Sequence, residues 1–305
     1  MWAFLSGNQI DIKDAKVSIM THALHYGTAT FEGIRGNWNE NNNSMYIFRM
    51  KEHYDRLLRG CKILRIKLPY SVEDLCDITI DLIKKNNLKE DVYIRPLAYK
   101  GAEMVANLKL HEVSDDFALV TLPFGSYIDN SNSIRCQTSS WRRPMDSSMP
   151  TGVKLTGLYT TNILAKTEAV SAGFDEAILL NQDGTVSEGS GENLFMIQND
   201  KLITPAETDN ALLGITRDSV IELATKEIGM EVQQRRIHRS ELYLADEIFL
   251  TGTAAHVTSV GELDNREIGT GRIGVITKKI QDLYFSVLVG ENSKYLDWCT
   301  QISMD

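Results

Sequence analysis

Gly125 to Ser133 reads GSYIDNSNS, and this polar stretch organises the whole chain. Asn, Asp, Ser and Gly form turns through their own side chains or permissive backbone, so a run of them joins compact units rather than crossing a core. It separates residues 1–125, a small N-terminal domain, from residues 134–305, a large one, with 126–133 as the linker. Working back from it, Phe117 to Leu122 and Val92 to Tyr99 read as strands. Ser71 with Asp74 three residues on resembles a capping box, opening a helix to Lys85 that carries Leu75, Ile78, Leu82 and Ile83 on one face. His53 to Leu68 repeats Leu57, Leu58, Cys61, Leu64 and Leu68 at helical spacing. Met45 to Phe48, Ala29 to Ile34 and Val17 to Met20 read as strands, with Asn39 to Ser44 a hairpin turn.

Working forward, strands are expected at Ile134–Ser140, Glu176–Leu180, Asn193–Ile197 and Glu247–Leu250. Helices are expected at Leu158–Ser171, Thr216–Ile228 and Ile273–Leu288. Strands and helices mix in both halves, which predicts an α+β / α/β chain of two lobes with the ligand site in the cleft between them.

Composition excludes several classes. The chain has 305 residues, 43% apolar and 24% charged, ordinary for a globular protein. Its 32 basic and 41 acidic residues leave a net charge of −9 with no basic stripe, so no nucleic-acid partner is expected. No apolar run is long enough for a membrane span or a signal core. Cys61, Cys76, Cys136 and Cys299 are scattered, as in a reduced, cytoplasmic protein.

Lys154 is the most informative residue. It lies between Val153 and Leu155, after the breaker-rich loop Pro144 to Gly152 and before a helix containing Tyr159. Apolar surroundings disfavour the charged amine, and a neutral amine is what a Schiff base requires. The competing reading is a surface lysine resting its stem on apolar neighbours. In Ser187-Glu188-Gly189-Ser190-Gly191-Glu192-Asn193 two carboxylates flank glycines ahead of an apolar strand. A buried carboxylate there could hold a cationic ring nitrogen, although composition by itself favours a polar turn feeding a strand. Two stretches suit a phosphate. Leu213-Gly214-Ile215-Thr216-Arg217 runs into a helix start, and Thr251-Gly252-Thr253-Ala254-Ala255 follows a hydrophobic strand.

Three patterns point elsewhere. Gly269-Thr270-Gly271-Arg272-Ile273-Gly274 matches a dinucleotide fingerprint, but the preceding Asp264 to Glu267 is polar where a buried strand is needed. His22 and His25 lack a third metal ligand, so no metal is expected. Arg235, Arg236 and Arg239 form a short solvated basic face.

In combination these segments resemble a known family. Thr21-His22-Ala23-Leu24-His25-Tyr26-Gly27 and Phe31-Glu32-Gly33-Ile34-Arg35 are similar to the signature of branched-chain amino-acid aminotransferases, which are fold-type IV pyridoxal-phosphate enzymes. The likeness continues through Tyr93 to Pro96, Ser139 to Trp141, Ser187 to Phe195, Gly214 to Asp218, Leu242 to Glu247 and Gly252 to Ala255. The resemblance implies the two-domain architecture of that fold type and pyridoxal 5'-phosphate as cofactor. It also implies transfer of an amino group from Leu, Ile or Val to 2-oxoglutarate by a ping-pong route. Lys154 would carry the cofactor and shuttle the proton, Glu188 would face the ring nitrogen, and Tyr159 the phenolic oxygen. Arg56, Ile215, Thr216, Gly252 and Thr253 would bind the phosphate. Tyr26, Phe31, Gly33, Tyr93, Arg95, Phe124, Tyr127, Ala254 and Ala255 would surround the substrate, an amino acid or a 2-oxo acid. Arg35, Arg95 or tyrosine hydroxyls would meet the second carboxylate of glutamate. At least a homodimer is implied.

The chain departs from the family pattern at Leu158, in the loop Met104-Val105-Ala106-Asn107-Leu108, and at His256. These changes bear on the range of amino donors. A D-amino-acid transaminase or an aminodeoxychorismate-lyase-like enzyme would share the fold, and a silent binding protein would keep it without the chemistry.

Overall fold

A computed structural model describes residues 1–102, 106–125 and 131–304. The chain forms two units, Met1–Gly125 with Val153–Leu158 and Ser286–Asp305, and Ser126–Gly152 with Tyr159–Phe285. A single division at 126–133 therefore misses two returns of the chain to the first unit. The reason is hydrogen bonding. Phe31 N donates to Lys154 O at 3.1 Å, Gly157 N donates to Gly27 O at 3.2 Å, and the C-terminal strand Cys299–Ser303 pairs along Ser44–Phe48. Most of the expected linker, 126–130, lies outside the described residues.

The first unit is built on an eight-stranded antiparallel sheet. Its strands are β1 (Trp2–Leu5), β2 (Asn8–Asp11), β3 (Ala29–Phe31), β4 (Ile34–Asn39), β5 (Ser44–Phe48), β6 (Val92–Lys100), β7 (Asp115–Pro123) and the C-terminal strand. They run in the order C-terminal strand, β5, β4, β6, β7, β1, β2, with β3 also on β6. The helices are α1 (His22–Tyr26), α2 (Met50–Ile63) and α3 (Val72–Asn86). The capping box forms as expected, Ser71 accepting from Asp74 N while Asp74 accepts from Ser71 N. The helical stripe buries Tyr54, Leu57, Cys61, Leu75, Leu82 and Ile83 against Ile34, Ile47, Val92, Ile94 and Leu119 of the sheet.

Two expectations fail here. Val17 to Met20 is not a strand; Val17, Ile19 and Met20 are exposed, and no strand among the described residues pairs with them. The expected strand Ala29–Ile34 is two strands, interrupted at Glu32 and Gly33.

The second unit contains β8 (Ile134–Arg142), α4 (Tyr159–Ser171), β9 (Glu176–Leu180), β10 (Val186–Gly189), β11 (Asn193–Gln198), β12 (Lys201–Thr204), α5 (Ile215–Leu223), β13 (Glu231–Gln234), α6 (Arg239–Leu242), β14 (Glu247–Gly252), β15 (His256–Leu263), β16 (Arg266–Glu267) and most of α7 (Val275–Leu288). The sheet order is β10, β9, β8, β15, β14, β11, β12, β13, with β16 on β15. β8 and β9 are parallel, and α4 makes the crossover between them. Ile178, Leu194, Met196, Ile248 and Leu250 fill its core. No helix among the described residues is long and apolar enough to cross a membrane.

Candidate active site

Period-two alternation in β6 divides its side chains between two environments. Val92, Ile94 and Ala98 enter the core under α2 and α3, while Tyr93 and Arg95 point to the opposite face. Arg35 stands opposite Tyr93 in the β4–β6 register. On that face Arg95 Nη2 donates to Tyr93 Oη at 2.6 Å, and its guanidinium lies 4.5 Å from the Phe31 ring centroid. The Tyr93 and Phe124 ring centroids are 5.0 Å apart. Gly33 is required by this packing, because a Cβ there would stand 2.2 Å from Tyr93 Oη. Arg35 is 3% exposed and donates through Nη2 to Asp91 and to the Phe124 and Gly125 carbonyls. Arg35 Nε and Nη1 and Arg95 Nε have no acceptor among the described residues. The face is thus aromatic, with N–H groups suited to a polar or anionic guest.

Glu32, fully buried in the break between β3 and β4, receives Arg56 Nε at 2.6 Å and Nη2 at 2.8 Å, with His53 Nδ1 at 2.8 Å. Burial raises the Glu32 carboxyl, but Arg56 and then His53 overcome this and hold it well below the usual carboxylate range. His53 is pushed down by burial, against the pull of Glu32, while the charges of Arg56 and Lys154 lower it further. Lys154 is therefore within electrostatic reach of this triad. Its carbonyl accepts from Phe31 N and Thr30 Oγ1, its neighbours Val153 and Leu155 are buried, and its Nζ lies 5.4 Å from the Phe31 ring centroid. Tyr26 lies on α1. Its hydroxyl accepts from Ala106 N at 3.0 Å and its ring packs on buried His22, which lies on a helix and not in a loop. Tyr127, Met104 and Val105 lie outside the described residues.

In the second unit, Glu188 is buried on β10, which forms where the sequence reads as a polar turn. Its Oε1 meets Arg143 Nη2 at 3.0 Å and its Oε2 accepts from Leu212 N at 2.9 Å. Tyr159 opens α4. Gly214, which has no side chain to cap the helix, precedes α5, and buried Ile215 and Thr216 form its first turn. A Cβ at Gly214 would stand 2.0 Å from Asn193 Oδ1. Gly252 pairs with His256 across the turn formed by Thr253, Ala254 and Ala255. The departure at His256 is absorbed locally: its φ is +57° and its ring packs edge-on against Phe285, 5.1 Å between centroids. Buried Thr251 Oγ1 has no partner among the described residues.

Residues 29–263 match the family model described as amino-transferase class IV. The chain belongs to the class IV aminotransferases. It is 50% identical, over 99% of its length and 96% of the relative's, to a probable branched-chain-amino-acid aminotransferase of Aquifex aeolicus. The crystal structure of branched-chain aminotransferase from Thermoproteus uzoniensis with norvaline superposes with a TM-score of 0.94 at 40% identity, covering 99% of both chains. The branched-chain amino acid aminotransferase from Thermobaculum terrenum in its PLP-form (holo-form) gives 0.92 at 36% identity, covering 98% of this chain and 97% of the other.

This membership makes the chain a transaminase of the fold type expected from its motifs. The residues to which sequence reasoning gave no role are Glu32, His53, Arg143 and Asn193. A usable signal existed for the first two. A carboxylate interrupting an apolar strand, with His and Arg three apart on the next helix, is a buried ion pair waiting to form. Arg143 had no such signal, since its partner lies 45 positions away in sequence. The basic face at Arg235, Arg236 and Arg239 is spent on ion pairs with Glu241, Asp183 and Asp264.

Proposed function

We propose that this transaminase moves the α-amino group of branched-chain L-amino acids to 2-oxoglutarate with pyridoxal 5'-phosphate. The chemistry of the donors fits that cofactor. Each unit taken by itself carries groups of the kind it takes: Lys154 and buried Arg56 in the first, and in the second buried Glu188, the glycine-led start of α5 and Thr251 Oγ1, which has no partner among the described residues. When bound, the cofactor spreads the charge left by loss of the substrate's α-proton, provided its ring nitrogen stays protonated. Lys154 would bind the cofactor's aldehyde through Nζ and, once displaced, hold and return that proton. Glu188 would keep the ring nitrogen protonated and Tyr159 would donate to the phenolic oxygen. Arg56, the Ile215 and Thr216 amides, Gly252 and Thr253 would grip the phosphate.

Phe31, Gly33, Tyr93, Arg95, Phe124, Tyr26 and Tyr127 would enclose the substrate side chain, with Tyr93 and the Thr253 and Ala254 amides at its α-carboxylate and Ala255 next to them. An aromatic wall suits Leu, Ile and Val, while the N–H groups of Arg35 and Arg95 suit the second carboxylate of glutamate. The same lysine would serve both half-reactions, giving ping-pong kinetics. The exposed apolar side chains of Val17, Ile19, Met20, Leu24 and Leu108 support burial against a second copy, and the scattered reduced cysteines support a cytoplasmic setting.

One observation carries the reading: Lys154 is tied to Phe31 and Thr30, beside the Glu32–Arg56 pair. The test is borohydride reduction of the yellow protein, absorbing at roughly 410 nm from the cofactor's own chemistry, followed by peptide mapping. Label on Lys154 alone is expected. Label elsewhere, or no turnover with Leu, Ile, Val, Phe, Met or Glu, overturns it.

A further inference from the structure

Arg143 is among the most deeply buried large side chains, yet it lies outside every motif discussed above. All of its guanidinium nitrogens are engaged. Nε donates to Asn210 O at 2.9 Å, Nη1 donates to Asn162 Oδ1 at 3.1 Å, and Nη2 meets Glu188 Oε1 at 3.0 Å. Its backbone is held as well, since its N–H donates to Leu180 O and its carbonyl accepts from Gln182 Nε2. Asn162 is fixed in turn by donating to Ser190 O at 2.7 Å, two residues beyond Glu188. On the other side Leu212 N at 2.9 Å and Asn193 Nδ2 at 3.5 Å approach Glu188 Oε2. Asn162 follows Tyr159 by three positions on α4, so one helical turn and then Arg143 link Tyr159 to Glu188, the two residues assigned to the cofactor ring.

We propose that Arg143 is a positioning residue that keeps Glu188 ionised and fixes its carboxylate plane, and thereby holds the proton on the cofactor's ring nitrogen. This deepens the functional reading above and rests on it. A carboxylate buried without a cation takes up a proton, and a neutral acid cannot stabilise a pyridinium. A lysine would supply charge, but its three N–H donors sit on one nitrogen and cannot span acceptors that meet three nitrogens of a planar guanidinium, so it would satisfy Glu188 and leave Asn162 or Asn210 unmatched.

The test loads the full-length protein with cofactor labelled with nitrogen-15 in the ring and follows that resonance with pH. In the wild type the ring nitrogen is expected to stay protonated through neutral pH. In Arg143→Met it is expected to lose its proton, and the half-reaction with leucine to slow by about 100-fold. Arg143→Lys should keep the proton but release it at lower pH than the wild type. An unchanged resonance and pH profile in Arg143→Met overturns the proposal; if that variant does not fold, an unchanged profile in Arg143→Lys does so. Denaturation of the cofactor-free full chain supplies a second reading. Arg143→Met combined with Glu188→Gln should unfold at higher denaturant than Arg143→Met alone, because no charge is then left buried and unpaired. Additive effects would refute the ion pair as the source of the coupling. A wild type that takes up no cofactor would instead sink the functional reading, while the denaturation cycle still decides the pair.

Discussion

Glu192 offers a test of how the turn after β10 manages buried charge. Its side chain is 6% exposed, and Oε2 accepts from Gly191 N at 3.0 Å. Burial, then the like charges of Glu176 and Glu188, push its carboxyl up to about 8, against the Gly191 hydrogen bond and the charge of Lys166. Lys166 itself is committed to Glu176 at 2.5 Å. An acid whose pKa is raised on folding keeps its proton longer in the folded chain. Its unfolded counterpart titrates at 4.5, so stability falls as pH rises from that value to the folded one and then levels off. Glu192→Gln removes the titration while keeping shape and an acceptor. The variant should match the wild type near pH 4 and exceed it by a margin that grows with pH to a few kcal/mol, levelling off above about pH 8. Urea denaturation of both proteins at those pH values measures the difference directly. A gap that does not change with pH would show that Glu192 is ionised in the folded state and would refute the reasoning.

Three further outcomes are expected. Glu32→Gln should destabilise by about 3–5 kcal/mol at neutral pH, because Arg56 loses its buried counter-charge. That contribution is present above the unfolded carboxylate value of 4.5 and fades as pH falls toward the lowered folded one, so denaturation midpoints of variant and wild type should converge in acid. Gly33→Ala should cost about 1–3 kcal/mol by displacing Tyr93, and steady-state rates should show KM for leucine rising more than kcat falls. Ser71→Ala should lower stability by about 1 kcal/mol through loss of the α3 cap, with turnover per folded molecule unchanged.

Much of this protein is legible in its residues because helix and strand signals are local. The stripe from Leu57 to Cys61 and the Ser71–Asp74 box announce α2 and α3 without reference to anything distant, although α2 stops at Ile63 and does not reach Leu68. Alternation along Val92 to Tyr99 even separates the core side of β6 from the side bearing Tyr93 and Arg95. Lys154, Glu188 and the Gly214 and Gly252 segments stand out because several short motifs occur in a fixed order. Val17 to Met20 reads as a strand on propensity alone and fails because an apolar run becomes a strand only when another edge pairs with it. Tertiary structure alone decided that Lys154 folds back onto β3, 124 positions from Thr30, and that Arg143 finds Glu188. Periodicity is written in adjacent residues, whereas the partner of a buried charge depends on which distant segments close together and exclude water around it.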